Sequence, residues 1–140
     1  MNTIAIDCGA SFLKSALISD GNIINAIDIP MKVLDTNRNI FSFDKIEEII
    51  FNVKKVVSEL SKGVDEFNFC VSNEMHGFIL FKEDGSYFTD YISWQNEFGN
   101  IDYNGVNSCD LLRSEEYDRY IVKTGMKVRA GLPSSNLIYL

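Results

Sequence analysis

Asp7, Gly9, Ser11 and Lys14 fall inside one eight-residue stretch, Asp7-Cys-Gly-Ala-Ser-Phe-Leu-Lys14. Together they offer what a phosphate requires. A carboxylate at a strand end can hold a hydrated Mg²⁺, a hydroxyl and an ammonium can reach phosphate oxygens, and a glycine lets main-chain N–H groups face an anion. The same residues also suit an ordinary hairpin turn, because Asp and Gly are common turn formers. Their types leave both readings open.

A second group follows further on. His76 is the only histidine, and it comes after Met75 and before Gly77; Trp94 is the only tryptophan, and Gln95 and Asn96 follow it. An imidazole at a turn can hydrogen-bond a ligand, but a lone histidine is more often structural. Trp94 suits sugar stacking or a core equally well, since it buries a large area wherever it sits.

The elements that must position these groups are legible in the periodicity. Thr3 to Ile6 and Phe12 to Ile18 are β-branched, apolar runs, so Asp7 to Ser11 reverse the chain between two strands. Ser19-Asp-Gly-Asn22 is a second reverse turn, leading to a third strand from Ile23 to Ile29 that Pro30 ends. A long helix follows the polar loop Asp35 to Asn39, capped by Ser42 or Asp44, with Ile46, Ile49, Ile50, Val53, Val57 and Leu60 at helical spacing and Lys62-Gly63 as its stop. Phe67 to Ser72 is then a strand reached through a helix, which favours a right-handed crossover and parallel pairing with the first strand.

The order predicts an α/β fold: a ribonuclease-H-like mixed sheet with flanking helices. Asn73 to Gly77 is a turn, Phe78–Phe81 and Tyr87–Ile92 are two short strands around Glu83-Asp-Gly-Ser86, and Phe98 to Ser108 is a polar surface loop. A helix from Glu115 to Lys123 is capped by Ser114 and ended by Thr124-Gly125, its acidic start Glu115 to Asp118 being a solvated face. Pro133 opens one more helix, interrupted after Leu140. A helix that stops after its first turn predicts an N-terminal fragment of a longer protein.

Composition bounds the partners. With 140 residues, 46% of them apolar and 24% charged, the chain suits one domain or a piece of one. Thirteen basic against twenty acidic residues leave a net charge of −7, which opposes a nucleic-acid footprint, since binding a polyanion relies on Lys and Arg. No apolar run is long enough to span a bilayer and no targeting segment precedes the first strand, so the expected location is the cytoplasm, without a membrane partner. The three cysteines, Cys8, Cys70 and Cys109, are widely spaced and suggest neither a disulfide framework nor a zinc site.

Three segments in order resemble the N-terminal domain of the FGGY carbohydrate kinases, of the actin/hexokinase-like ATPase superfamily, and are most similar to its xylulokinase and sedoheptulokinase branches. They are Ile4-Ala-Ile-Asp-Cys-Gly-Ala-Ser-Phe-Leu-Lys14, Val71-Ser-Asn-Glu-Met-His-Gly77, and Thr124-Gly125 with Pro133-Ser-Ser-Asn-Leu-Ile-Tyr-Leu140. The resemblance implies that Asp7, Gly9, Ser11 and Lys14 form a first phosphate loop facing ATP and Mg²⁺, with Asp7 towards the metal. It implies that Met75 and His76 lie against the sugar, with Trp94 at the same pocket and Gln95 and Asn96 at its rim or behind it rather than as direct ligands. The chain departs from the family at Glu74, where Gln is usual, at Asn73, where Gly is common, in Trp94-Gln-Asn-Glu-Phe98, which lacks the usual Asp and Arg, and at Asn136, often Lys.

The implied activity is transfer of the ATP γ-phosphoryl group to a hydroxyl of a ketose or related polyol, and the implied partners are that sugar and ATP, with a homodimer allowed for the full-length protein. Residues 1–140 would supply the sugar pocket and first phosphate loop. The catalytic base and the ATP-binding second domain, which closes over the substrate, would lie beyond Leu140, so the fragment alone is expected to be inactive. The lost Asp and Arg near Trp94 also fit a different reading, a non-catalytic actin-like sugar sensor.

Overall fold

Isoleucine and leucine alternate with small or polar residues through the first strands, and that period of two sorts the side chains onto two faces of a sheet. In the computed structural model, which describes residues 1–140, β1 is Asn2–Cys8, β2 Phe12–Ser19, β3 Asn22–Pro30 and β4 Asn68–Asn73. Their order is β3-β2-β1-β4. The pairs β1–β2 and β2–β3 are antiparallel and β1–β4 is parallel, as the helical crossover predicts. The chain divides into two compact units, residues 1–34 with 43–74, and residues 35–42 with 75–140.

The first unit holds this sheet and α1, Asp44–Leu60. Its core is Ile4, Ile6, Leu13 and Leu17 from one sheet face, Met31 just after β3, and Val56 and Leu60 from α1; Ile49, Val53 and Val57 pack alongside. Ser15 belongs to the same face and is buried, its hydroxyl donating to the Ile27 carbonyl at 2.7 Å. The start of α1 differs from expectation. Neither Ser42 nor Asp44 is the N-cap residue: Phe43 is, at φ 64°, with no side-chain cap bond. Asp44 and Glu47 still occupy the first turn, where their charges complement the helix dipole. The helix yields at Ser61, two residues before Gly63 at φ 75°.

In the second unit the expected pair of short strands is reduced to isolated bridges, Phe78 with Ile92 and Phe81 with Tyr87. A ladder fails between them because the Leu80 amide is taken by the Thr89 hydroxyl at 3.1 Å. The Asp-Gly turn itself is present: Asp84 Oδ1 accepts from the Ser86 amide at 2.9 Å and hydroxyl at 2.6 Å, and those bonds hold the Asp84 carboxyl below its ordinary value.

The stretch expected as a surface loop is more structured than that. Phe98–Asn100 form a 3₁₀ turn with Phe98 and Gly99 buried, and Ser108–Leu112 form α2. Asn107 caps α2, its Oδ1 accepting from the Asp110 amide at 2.9 Å. Five residues are too few to show a helical period. Next come α3, Glu115–Thr124, which buries no residue and ends at Gly125, and α4, Pro133–Tyr139. Ser114 is the N-cap residue of α3 as expected, but its side chain makes no cap bond, its hydroxyl donating instead to the Leu111 carbonyl at 2.7 Å. No helix is long and apolar enough to cross a membrane.

Candidate functional site

The two groups of sequence-predicted residues lie in different units. Asp7, Gly9, Ser11 and Lys14 belong to the first; Met75, His76, Trp94, Gln95 and Asn96 belong to the second.

In the first unit the β1–β2 register sets Asp7 opposite Lys14, while Asp7 also pairs with Ser72 of β4 and Lys14 with Asp28 of β3. One row therefore runs Ser72, Asp7, Lys14, Asp28 across all four strands, on the face away from α1. Asp7 and Lys14 are both exposed, and no ion pair within 4.0 Å joins Lys14 to either carboxylate. The row borders an open depression of about 280 Å³, floored by Ala5 and Ala16. A larger depression of about 1080 Å³ lies at the other end of β1, around Met1, Asn2 and residues 63–68, and holds none of these groups.

Gly9 acts by close approach. Its amide donates to the Phe12 carbonyl at 3.0 Å, and a Cβ there would sit 3.0 Å from that same oxygen. Its N–H is consumed by the turn. The amides of Ala10 and Ser11 make no backbone hydrogen bond, which leaves two donors at the loop. The exposed Ser11 hydroxyl stands between them and Lys14 in sequence. Cys8, half-buried beside Asp7, has its thiol pushed above the ordinary value of 9.0, first by burial and then by the Asp7 charge. From the end of β4, the Glu74 amide donates to the Cys8 carbonyl at 3.2 Å.

Magnesium commonly keeps several waters and takes one or two carboxylates plus substrate phosphates. A single exposed carboxylate in cross-strand register with an ammonium fits that mode. An all-protein cage is not available, because no three His, Cys, Asp or Glu side chains are grouped to hold a metal.

In the second unit His76 is exposed and sits at φ 65°, in the left-handed region that non-glycine residues seldom enter. Met75 beside it is 75% exposed. Trp94 is likewise on the surface at 47%, so it is not a core residue. Gln95, half-buried, borders a depression of about 240 Å³ with Thr36, Asn37 and Glu97. Asn96 is fully buried. Its Oδ1 accepts from the Ser93 amide at 3.0 Å and its Nδ2 donates to the Thr36 carbonyl at 3.4 Å, so the side chain is committed to the fold rather than presented to a ligand.

Composition and periodicity did not single out Arg38, Asp90 or Tyr91. Arg38, itself partly exposed, forms an ion pair with the buried Asp90 and donates to the Tyr91 carbonyl, and Asp90 Oδ1 accepts from the Tyr91 amide at 2.7 Å. Only a Gly77 without a Cβ admits the Tyr91 ring, whose hydroxyl would lie 1.9 Å from a Cβ there.

No protein-family model and no curated protein matches the sequence. Solved structures do match by shape. A xyloylose kinase from Brucella ovis superposes with a TM-score of 0.76 over 99% of this chain at 17% identity. The fold is that of sugar kinases. A xylulose kinase from Lactobacillus acidophilus matches at 0.68 and a gluconate kinase from the same organism at 0.66, each at 19% identity, over 99% and 100% of this chain. This chain spans 29%, 28% and 28% of those three chains in turn, less than a third of each. The mixed sheet with flanking helices expected from the order of elements is thereby the fold that those kinases share.

Proposed function

We propose that the chain is the sugar-recognising part of an ATP-dependent carbohydrate kinase of the FGGY type, acting on a ketose or related polyol. The observation that carries this reading is the match of its whole length to three sugar kinases. Local chemistry agrees with it. Lys14 and the Ala10 and Ser11 amides give an anion-facing loop, Asp7 offers one carboxylate to Mg²⁺, and Met75 and His76 offer an apolar surface and a hydrogen-bonding imidazole to a sugar.

Phosphoryl transfer needs in-line geometry and charge neutralisation around the transferring group. In this reading Lys14 and the loop amides hold phosphate oxygens, Asp7 anchors the hydrated metal, and His76 orients a sugar hydroxyl. Bound Mg²⁺ would neutralise phosphate charge. Glu74, a carboxylate where an amide is usual in the family, adds a charge and removes two donors, and so shifts which hydroxyl pattern is accepted. The base that takes the hydroxyl proton and the adenine site belong to the further length that the kinases have. The expected location is the cytoplasm.

The test is a panel of ketoses, polyols and gluconate given with Mg·ATP to the full-length protein, with ADP release followed. Sugar-dependent release that falls roughly 100-fold or more in Asp7→Asn is expected, on the scale of losing one electrostatic contact to the transition state. Absence of release with every sugar, from a folded protein, would overturn the reading.

A further inference from the structure

Among the described groups, Tyr91 is one whose placement the phosphoryl-transfer reading does not use. Three observations concern it. Its backbone is strapped on both sides, the amide to Asp90 Oδ1 and the carbonyl to Arg38, and Arg38 closes on the Asp90 carboxylate. Asp90 is fully buried and its amide donates to the Ile40 carbonyl, so the strap is anchored in the unit's core. The phenol ends on Gly77, where a Cβ would meet the hydroxyl at 1.9 Å, Cζ at 2.4 Å and Cε2 at 2.8 Å.

Gly77 follows His76, which is held at φ 65°. A left-handed non-glycine residue is costly and persists only where its surroundings over-determine it. On one side the turn is tied by the Phe78–Ile92 bridge, with 2.9 Å bonds in both directions. Over the turn itself lies the Tyr91 ring.

We propose that Tyr91 is the positioning residue for His76: the Arg38–Asp90 ion pair fixes its backbone, and its ring, seated on Gly77, keeps His76 in the left-handed conformation that presents the imidazole to solvent. Tyr91 thereby sets the shape of the polyol site through His76. The link to polyol binding rests on the sugar-kinase reading, whereas the coupling of Tyr91 to His76 does not.

His76 is the only histidine of the chain, so its Cε1–H gives one ¹H–¹³C NMR signal that needs no assignment by mutation. In the sugar-free 140-residue chain, Tyr91→Ala is expected to move that signal towards its position in the unfolded chain. Tyr91→Phe, which keeps the ring on Gly77, leaves it near the wild-type position. Gly77→Ala, whose methyl displaces the ring, moves it in wild type but adds little in the Tyr91→Ala background. Tyr120→Ala, an exposed control, leaves it in place.

An unchanged signal in a folded Tyr91→Ala variant, or equal effects of Gly77→Ala in both backgrounds, would overturn the proposal. Addition of ketoses then addresses the sugar reading separately. Binding weakened roughly five- to thirty-fold in Tyr91→Ala is expected, as the competent turn becomes a minor population. Wild-type protein whose signal answers to no sugar would count against the sugar reading alone.

Discussion

Asp7 and Cys8 are neighbours whose side chains leave opposite faces of the sheet. The strand's alternation sends Asp7 to solvent and Cys8 towards the core cluster. Burial and the adjacent carboxylate both disfavour the Cys8 thiolate. Two outcomes follow from the raised pKa. At pH 8 Cys8 is expected to alkylate with iodoacetamide more slowly than the exposed Cys70, as read by peptide mass spectrometry. Because the folded thiol holds its proton to higher pH than the unfolded one, the stability it contributes is complete below pH 9.0 and declines as pH rises towards the folded value. Urea unfolding of Cys8→Ser across that range should lack this decline. At the other end of β1 the amino terminus bonds Asp20 Oδ1 at 2.7 Å and holds that carboxyl below its ordinary value, and N-terminal acetylation is expected to raise it in a carboxyl NMR titration.

At the scale of elements, the part-buried Arg38–Asp90 pair joins residues 52 apart and does more than attract charge. Removing one partner of a buried pair leaves the other uncompensated. Asp90→Ala is accordingly expected to cost about 3–5 kcal/mol in denaturant unfolding of the second unit, since Asp90 is wholly inaccessible. By contrast Asn107→Ala removes only the single cap bond of α2 and should cost about 1 kcal/mol. In the first unit Leu60 closes α1 against the sheet at 1% exposure, and Leu60→Ala should cost about 2–5 kcal/mol by the same measurement. α1 illustrates how local signals divide: its apolar spacing foretells the buried face, yet its start is decided by Phe43 in a left-handed conformation, which no cap preference foretells. Val56, absent from the expected stripe, is fully buried, while Ile50, included in it, is 37% exposed.

At the scale of the whole chain, residues 1–140 cover less than a third of the kinases they match. In the proposed reading the transfer machinery is divided between this length and what the kinases carry besides. The chain by itself is therefore expected to show no steady, sugar-dependent ADP release, and such release would place the base within these residues.

The order of β1, β2, β3, α1 and β4, and the parallel return of β4 to β1, were determined by the sequence alone. Each rests on a signal contained in a few adjacent residues: a period of two or 3.6, an Asp-Gly turn, a proline stop. The Asp7–Lys14 pairing was not: Asp7 was expected in the turn, whereas β1 runs on to Cys8 and sets Asp7 opposite Lys14. The tertiary structure decided what depends on residues distant in the chain. Asn96, expected at or behind the rim of a sugar pocket, spends its amide on Ser93 and on Thr36, sixty positions away. Gly99, expected in a surface loop, is buried because a Cβ would sit 2.7 Å from Ser135 and 2.8 Å from the Ala130 carbonyl. Gly77 was legible as a turn residue, but the Tyr91 ring that requires it was not. Packing of that kind is chosen by the whole fold, where one side chain's place depends on atoms that no local spacing records.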